Sequence, residues 1–137
     1  MLYRIHERRQ AGAAVELAVL LPFLALTAVI ALDWARVFYY SVAISNAARQ
    51  GAIYASDPVA AANSPYADVQ QAALADTTNL SPQPTVSSTS GADGAGNPYV
   101  EVTVAWTFST ITNYPGVDAP VKISRTVRMR VAPTTPN

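Results

Sequence analysis

The sequence predicts an α+β fold: a long N-terminal transmembrane helix that runs on into a small domain with a short second helix and an antiparallel sheet of about three strands. Three features predict it. Ala11 to Leu32 is an almost unbroken apolar run with one acid inside it, Glu16. A helical period continues beyond that run through Trp34, Val37, Phe38, Ser41, Ile44, Ala48 and Ala52. Two later stretches, Tyr99–Thr110 and Val121–Val131, alternate at every second residue.

The apolar run is long enough to span. At about 1.5 Å per residue it makes roughly 33 Å of helix, against a bilayer core of about 30 Å. Between Val15 and Leu32 stand eleven Val, Leu, Ile or Phe residues. They supply roughly −3 to −6 kcal/mol toward insertion, against about +2.5 to +3.5 kcal/mol for an acid at mid-membrane and less near the interface. Glu16 lies near the N-terminal edge, so insertion wins. Pro22 is expected to kink the helix, which membrane helices tolerate. Arg4, Arg8 and Arg9 precede the run with Glu7, whereas Asp33 and Arg36 balance on the far side. The positive flank keeps the N-terminus cytoplasmic and puts the rest of the chain in the extracytoplasmic space. A cleaved secretory signal is the competing reading, but the run is too long for one and Glu16 interrupts its start.

The segments divide as a cytoplasmic basic leader (1–11), a transmembrane helix (12–32), its extramembrane continuation (33–56), a small α+β domain (57–131) and a disordered tail (132–137). Trp34, Tyr39 and Tyr40 sit where an aromatic belt meets headgroups, and Asp33 and Arg36 are three apart, so they can pair across one turn. Ala43, Ala47, Ala48, Gly51 and Ala52 form a small-residue face suited to close packing. Asp57-Pro58 ends the helix. Ser64-Pro65 is expected to open a second helix reaching about Asn79.

Thr85–Thr89 is a short β-prone piece, and Gly91–Pro98 reads as a loop. Val100, Val102, Val104, Trp106 and Phe108 then share one strand face. Val121, Ile123, Val127, Met129 and Val131 share another, together with Arg125. One face of this meander is dry and one wet, and the outer half of the first helix is the nearest cover for the dry face. A turn at Pro115-Gly116 joins the last two strands.

Composition excludes several chemistries. The chain has 137 residues, with nine basic and nine acidic side chains that cancel, so charge makes no case for nucleic acid. It has no cysteine, and its one histidine, His6, precedes the apolar run. The later domain thus offers no Ser-His pair and no His or Cys metal set. Its carboxylates (Asp57, Asp68, Asp76, Asp93, Asp118, Glu101) are scattered. The glycines at 91, 94 and 96 precede a strand, not a helix, so they do not form a phosphate-cradling loop. No enzyme activity, cofactor or small-molecule substrate is expected.

Two stretches carry a resemblance. The first is Arg8-Arg9-Gln10-Ala11-Gly12-Ala13-Ala14-Val15-Glu16-Leu17-Ala18-Val19-Leu20-Leu21-Pro22-Phe23. The second is Asp33-Trp34-Ala35-Arg36-Val37-Phe38-Tyr39, followed by Asn46-Ala47-Ala48-Arg49-Gln50-Gly51-Ala52-Ile53-Tyr54-Ala55. Together, over roughly residues 8 to 55, they resemble TadE-like pseudopilins of the tight-adherence (Flp) pilus machinery. The resemblance implies a pilin-like fold and a bacterial inner-membrane protein. Its leader would be removed by a prepilin peptidase at Ala11/Gly12, and its partners would be other pilins or pseudopilins and the Tad secretion machinery. It also implies assembly or recognition roles for Glu16, Asp33, Arg36, Asn46 and Arg49. Ala11 stands where the family pattern usually has Gly, and Ala35 replaces another Gly.

A physical reading of the same residues stands beside this. An intramembrane carboxylate lowers its cost by finding a cation, and no Lys or Arg lies between Gly12 and Leu32 to provide one. A neighbouring subunit's new N-terminal amine would serve, or Glu16 reaches interfacial water. Asn46 and Arg49 are read either as a contact between helix and outer domain, as a contact between subunits, or as a solvated face. Lys122, Arg125, Arg128 and Arg130 are read either as a solvated strand or as a surface for anionic lipid or a negatively charged partner. The competing function is an unprocessed, membrane-anchored envelope binding module.

Overall fold

The computed structural model describes residues 2–111 and 120–133, with side chains from residue 12 onward. The expected turn at Pro115-Gly116 and residues 134–137 of the expected tail lie outside the described residues. The elements in chain order are α1 (Leu2–Ser56), α2 (Pro58–Ala62), α3 (Val69–Leu74), β1 (Thr85–Ala92), β2 (Pro98–Phe108) and β3 (Val121–Arg130). Contacts divide the chain into two units, Met1–Arg36 and Val37–Asn137.

The first unit is helical. α1 begins at Leu2, within the segment read as the leader, and it runs through Pro22 without a break. Among the described residues one helix, Gly12–Ser56, is long and apolar enough to cross a membrane. Val15, Leu17, Val19, Leu20, Leu21, Phe23, Leu24 and Leu26 are all exposed on it. Side chains that apolar find a favourable surrounding only in lipid or protein.

The second unit is built around the last part of α1 and the sheet. The strands form one antiparallel sheet in the order β1-β2-β3. Val102 stands opposite Ser88 on one side and Val127 on the other. Alternation along β2 is clean: Val100, Val102, Val104, Trp106 and Phe108 are buried, and the residues between them are not. Ile44, Ala47, Ala48 and Ala52 of α1 are buried in the same core, with Ala73, Leu80 and Ile123.

The expected cover of the dry sheet face is therefore provided by α1, and the alanines are what let it lie so close. At Gly51 the approach is closest. A Cβ there would stand 3.0 Å from both Ala73 Cβ and Val102 Cγ1, so a helix that lost stability by carrying glycine gains a contact that no larger residue permits.

The direction of the strands along the helix follows from four contacts. The Tyr40 ring lies 5.3 Å from that of Phe108 at the end of β2, and Arg125 Nη2 donates to Ser41 Oγ at 2.6 Å. At the other end Ser56 Oγ meets Met129 Sδ at 3.9 Å, and the Ala132 N–H donates to the Ser56 carbonyl at 2.7 Å. The sheet thus runs alongside α1 from Tyr40 to Ser56.

Local chemistry explains where the expected second helix was misplaced. Asp57 does end α1, but it also caps α2, its carboxylate accepting from the N–H groups of Val59 and Ala60 with Pro58 in the first turn. Ser64-Pro65 opens no helix. The cap that works is Asp68, which accepts from Gln71 N at 2.7 Å, while Gln71 Oε1 reaches back to Ala67 N at 2.9 Å. This is the reciprocal arrangement of a capping box, displaced by one residue. Within the expected helix from 64 to 79 only the six residues of α3, Val69–Leu74, are helical, and α2 lies before it.

The first strand is longer than expected. Ser90, Gly91 and Ala92 pair with Val100, Tyr99 and Pro98, and the connecting loop shrinks to Asp93–Asn97. Asp93 organises that loop: its Oδ1 accepts from Ala95 N and Asn97 N, and its Oδ2 from Asn97 Nδ2. Gly96 takes the positive φ of 82° that the turn needs.

The two sheet edges differ. β3 carries Lys122, Arg125, Arg128 and Arg130, and β1 carries no charge at all. Charged side chains on an edge discourage further pairing.

Two predictions follow from this packing. Gly51→Leu forces a side chain into contact already closed and is expected to destabilise the domain by about 1–3 kcal/mol, read by chemical denaturation followed through Trp106 fluorescence. The Asp93 carboxyl is held below its ordinary value of 3.8, first by the Asn97 side-chain hydrogen bond and then by the Asn97 backbone N–H. Its folded value is thus below its unfolded one, so its stabilisation is complete above the unfolded value and is lost as pH falls through the folded one. Asn97→Ala is expected to raise the Asp93 value toward 3.8, as measured by carboxyl NMR titration.

Candidate functional site

The residues singled out by the family resemblance all lie on α1, and the structure places them in three different settings. Gly12 and Glu16 are in the apolar part of the helix, both exposed. The side chain of Ala11 lies outside the described residues.

Asp33 and Arg36 meet. Arg36 Nη1 stands 3.3 Å from Asp33 Oδ1, with Asp33 only 2% exposed and the Arg36 side chain 41% exposed. One turn of helix brings them together, as the three-residue spacing requires. Taking a carboxylate out of water is costly, and a charged hydrogen bond offsets part of that cost. The cation remains wet while the acid does not, so the acid is the member with most to lose.

Asn46 and Arg49 are exposed on the side of α1 away from the sheet. Val42 and Ile53, also exposed, fall on the same face at three- and four-residue steps. Among the described residues, neither the Asn46 nor the Arg49 side chain makes a hydrogen bond or ion pair. The polar face is therefore presented outward. The small residues of the opposite face, Ala47, Ala48, Gly51 and Ala52, are already buried against the chain's own sheet and α3.

The aromatic group divides. Trp34, Phe38 and Tyr39 are 55%, 68% and 63% exposed. Tyr40 is not part of a belt. Its ring packs 4.7 Å from Trp106 and 5.3 Å from Phe108, because position 40 falls on the face of Val37, Ile44 and Ala47. Adjacent tyrosines in a helix point about 100° apart, so one of them had to turn inward. Trp106 in turn donates its indole N–H to the Pro82 carbonyl at 2.7 Å, which satisfies the one polar atom of a largely buried ring.

The basic cluster on β3 is mostly engaged within the chain. Arg128 pairs with Glu101 at 2.8 Å and lies 4.1 Å over the Tyr99 ring. Arg130 donates to Asn97 Oδ1. Arg125, which alternation assigns to the dry face, escapes at the sheet edge to Ser41. That Ser41 contact was missed by sequence reasoning, and only the helix–sheet register could have revealed it.

A cavity of about 200 Å³ lies where the end of α1 meets α2 and α3, lined by Gln50, Tyr54, Ser64, Tyr66 and Asp76 among alanines. There the Tyr54 hydroxyl donates to the Tyr66 carbonyl at 3.2 Å, and Ser64 Oγ accepts from Tyr66 N at 3.3 Å. Among the described residues there is no cluster of three or more His, Cys, Asp or Glu side chains able to hold a metal ion.

The segment carrying these residues also matches a known family model. Residues 12–52 match the model of the TadE-like protein family. The TadE-like segment covers less than a third of the chain and contains Glu16, Asp33, Arg36, Asn46 and Arg49, whereas Ala11 precedes it. It ends within α1, before any residue of the sheet. No curated protein and no solved structure matches the chain.

The Asp33–Arg36 geometry makes a prediction. Asp33→Ala and Arg36→Ala each destabilise the helix around them, and the double variant costs less than their sum. The coupling is expected at about 1 kcal/mol, the lower range for a charged hydrogen bond with one wet partner, read by a double-mutant cycle on amide exchange over residues 30–40.

Proposed function

We propose that this protein is a minor pseudopilin acting in assembly of a Flp-type, tight-adherence pilus. The observation that carries the reading is the TadE-like match across the apolar helix, with one carboxylate, Glu16, inside its span. In this reading the chain crosses the bacterial inner membrane once. Arg4, Arg8 and Arg9 hold the N-terminus in the cytoplasm. A prepilin peptidase removes the leader at Ala11/Gly12, and other pilins or pseudopilins and the Tad secretion machinery are the partners.

Cleavage and the acid belong to one mechanism. Removing the leader creates an α-amino group at the membrane interface, close in depth to Glu16. A carboxylate there is stabilised by a cation, and the amine of an adjacent subunit is one that only a processed chain supplies. Such pairing sets the axial register of neighbouring helices. Farther along α1, lateral contacts fall to the outward face of Val42, Asn46, Arg49 and Ile53. The exposure of that face supports this, as does the occupation of the opposite face by the sheet. Asp33 and Arg36, four residues before Val37 and Tyr40 respectively, serve as a recognition feature at the membrane boundary.

A second reading is favoured by Ala11, which stands in place of the usual Gly. An uncut chain would be a membrane-anchored envelope binding module. Intact mass of membrane-extracted protein separates the two. Loss of the leader in the presence of prepilin peptidase, and not in its absence, is the result expected of the pseudopilin. Glu16→Ala is expected to insert normally and abolish pili, as counted by electron microscopy. Normal piliation with that variant overturns the assembly role.

A further inference from the structure

The end of the second unit that contains Tyr40 and Phe108 has a character of its own. Four large apolar side chains are exposed at or near it: Phe38 (68%), Tyr39 (63%) and Val42 (61%) on α1, and Ile111 (60%), three residues beyond Phe108. Lys122 is exposed beside Val121, the partner of Phe108 in the last pair of the β2–β3 ladder. Arg125, also exposed, reaches Ser41 at the same level of the helix. Apolar side chains mixed with cations are what a phospholipid headgroup layer accepts, since the former enter the acyl boundary and the latter meet phosphate.

The acids lie elsewhere. Asp57 follows the end of α1. Asp68 and Asp76 flank α3, which packs on Gly51 through Val69 and Ala73. Asp93 is in the β1–β2 loop, and Glu101 pairs with Arg128, next to the Met129 that meets Ser56. Every described carboxylate of this unit therefore belongs to the Ser56 end or to α3, and the Tyr40 end has only cations among its described residues. Asp118 lies outside them. In sequence, the Tyr40 end is the one next to the apolar run. Only Asp33, Trp34, Ala35 and Arg36 separate Leu32, the last residue of the apolar run, from Val37, where the unit begins.

We propose that the Tyr40 end of the domain, through Phe38, Tyr39, Val42, Ile111 and Lys122, rests on the lipid headgroup layer and prefers anionic lipid. Depth decides this contact, not the side of the helix on which each residue falls. The contact gives the domain a second attachment to the membrane besides the span, and limits its tilt. It depends on the membrane helix and not on the pilus reading, so it stands or falls separately from that reading.

The absence of cysteine from the chain makes the test direct. Single variants Ile111→Cys and Ala95→Cys of the full chain carry an environment-sensitive fluorophore in nanodiscs of phosphatidylcholine, with or without phosphatidylglycerol. Brominated lipid serves as the quencher. The expected result is strong quenching and a blue shift at position 111, greater with phosphatidylglycerol, and neither at position 95. Lys122→Glu is expected to lose most of the gain due to phosphatidylglycerol while keeping the fold, as judged by an unchanged Trp106 signal. Equal quenching at 111 and 95 overturns the proposal. So does a blue shift at 111 that appears only when two chains share one disc, because a protein neighbour would then be the partner. Quenching at 111 that is indifferent to phosphatidylglycerol and to Lys122→Glu overturns the lipid preference.

Discussion

One helix has to satisfy two solvents. From Gly12 to Leu32 its side chains, Glu16 and Thr27 apart, are apolar on every side, as lipid demands, and from Val37 it must be apolar on one side only, as a protein core demands. The change occurs within the four residues Asp33 to Arg36. It is there that the first strong charges after Glu16 occur, and they pair with each other. Everything beyond depends on the face that α1 then offers. Ile44, Ala47, Ala48, Gly51 and Ala52 are small enough to bring a sheet against the backbone, and a sheet of three strands has no other broad apolar surface to close its core.

That arrangement gives the small-residue stripe a different meaning from the one it has in a membrane helix. In lipid, such a stripe is the usual means by which two helices approach. Here the extramembrane stripe is consumed inside its own chain. The face of α1 left uncovered in this part is the outward one, where Asn46 and Arg49 lie between Val42 and Ile53. Stripe and outward face are separated only by rotation about one axis.

Much of this was legible before the structure. The period of α1 and the alternation of β2 and β3 are dictated by burial on one side, so hydrophobic pattern alone reveals them. The Asp33–Arg36 pair was legible for the same kind of reason, a fixed spacing on a helix. The failures share a cause as well. β1 ends in Ser90-Gly91-Ala92, which has no alternation to read. Its strand geometry comes from the ladder with β2 and not from its own side chains. Asp57-Pro58 can stop one helix and start another, and here it does both. Asp68-x-x-Gln71 outcompeted Ser64-Pro65 because its two side chains satisfy backbone donors reciprocally. Tyr39 and Tyr40 look alike in sequence, and only the azimuth of the sheet about the helix tells which is buried.

The hydrogen bond from Ala132 to Ser56 has a bearing on how such a protein can change. Everything between those two residues, the short helices and the whole sheet, departs from the end of α1 and comes back to the same spot. It is a graft with a single stem. A different excursion of any length could be exchanged there without moving the helix, provided that it brought its own bulky partners for the alanine side. The stretch that matches a family model stops at residue 52, just short of that stem.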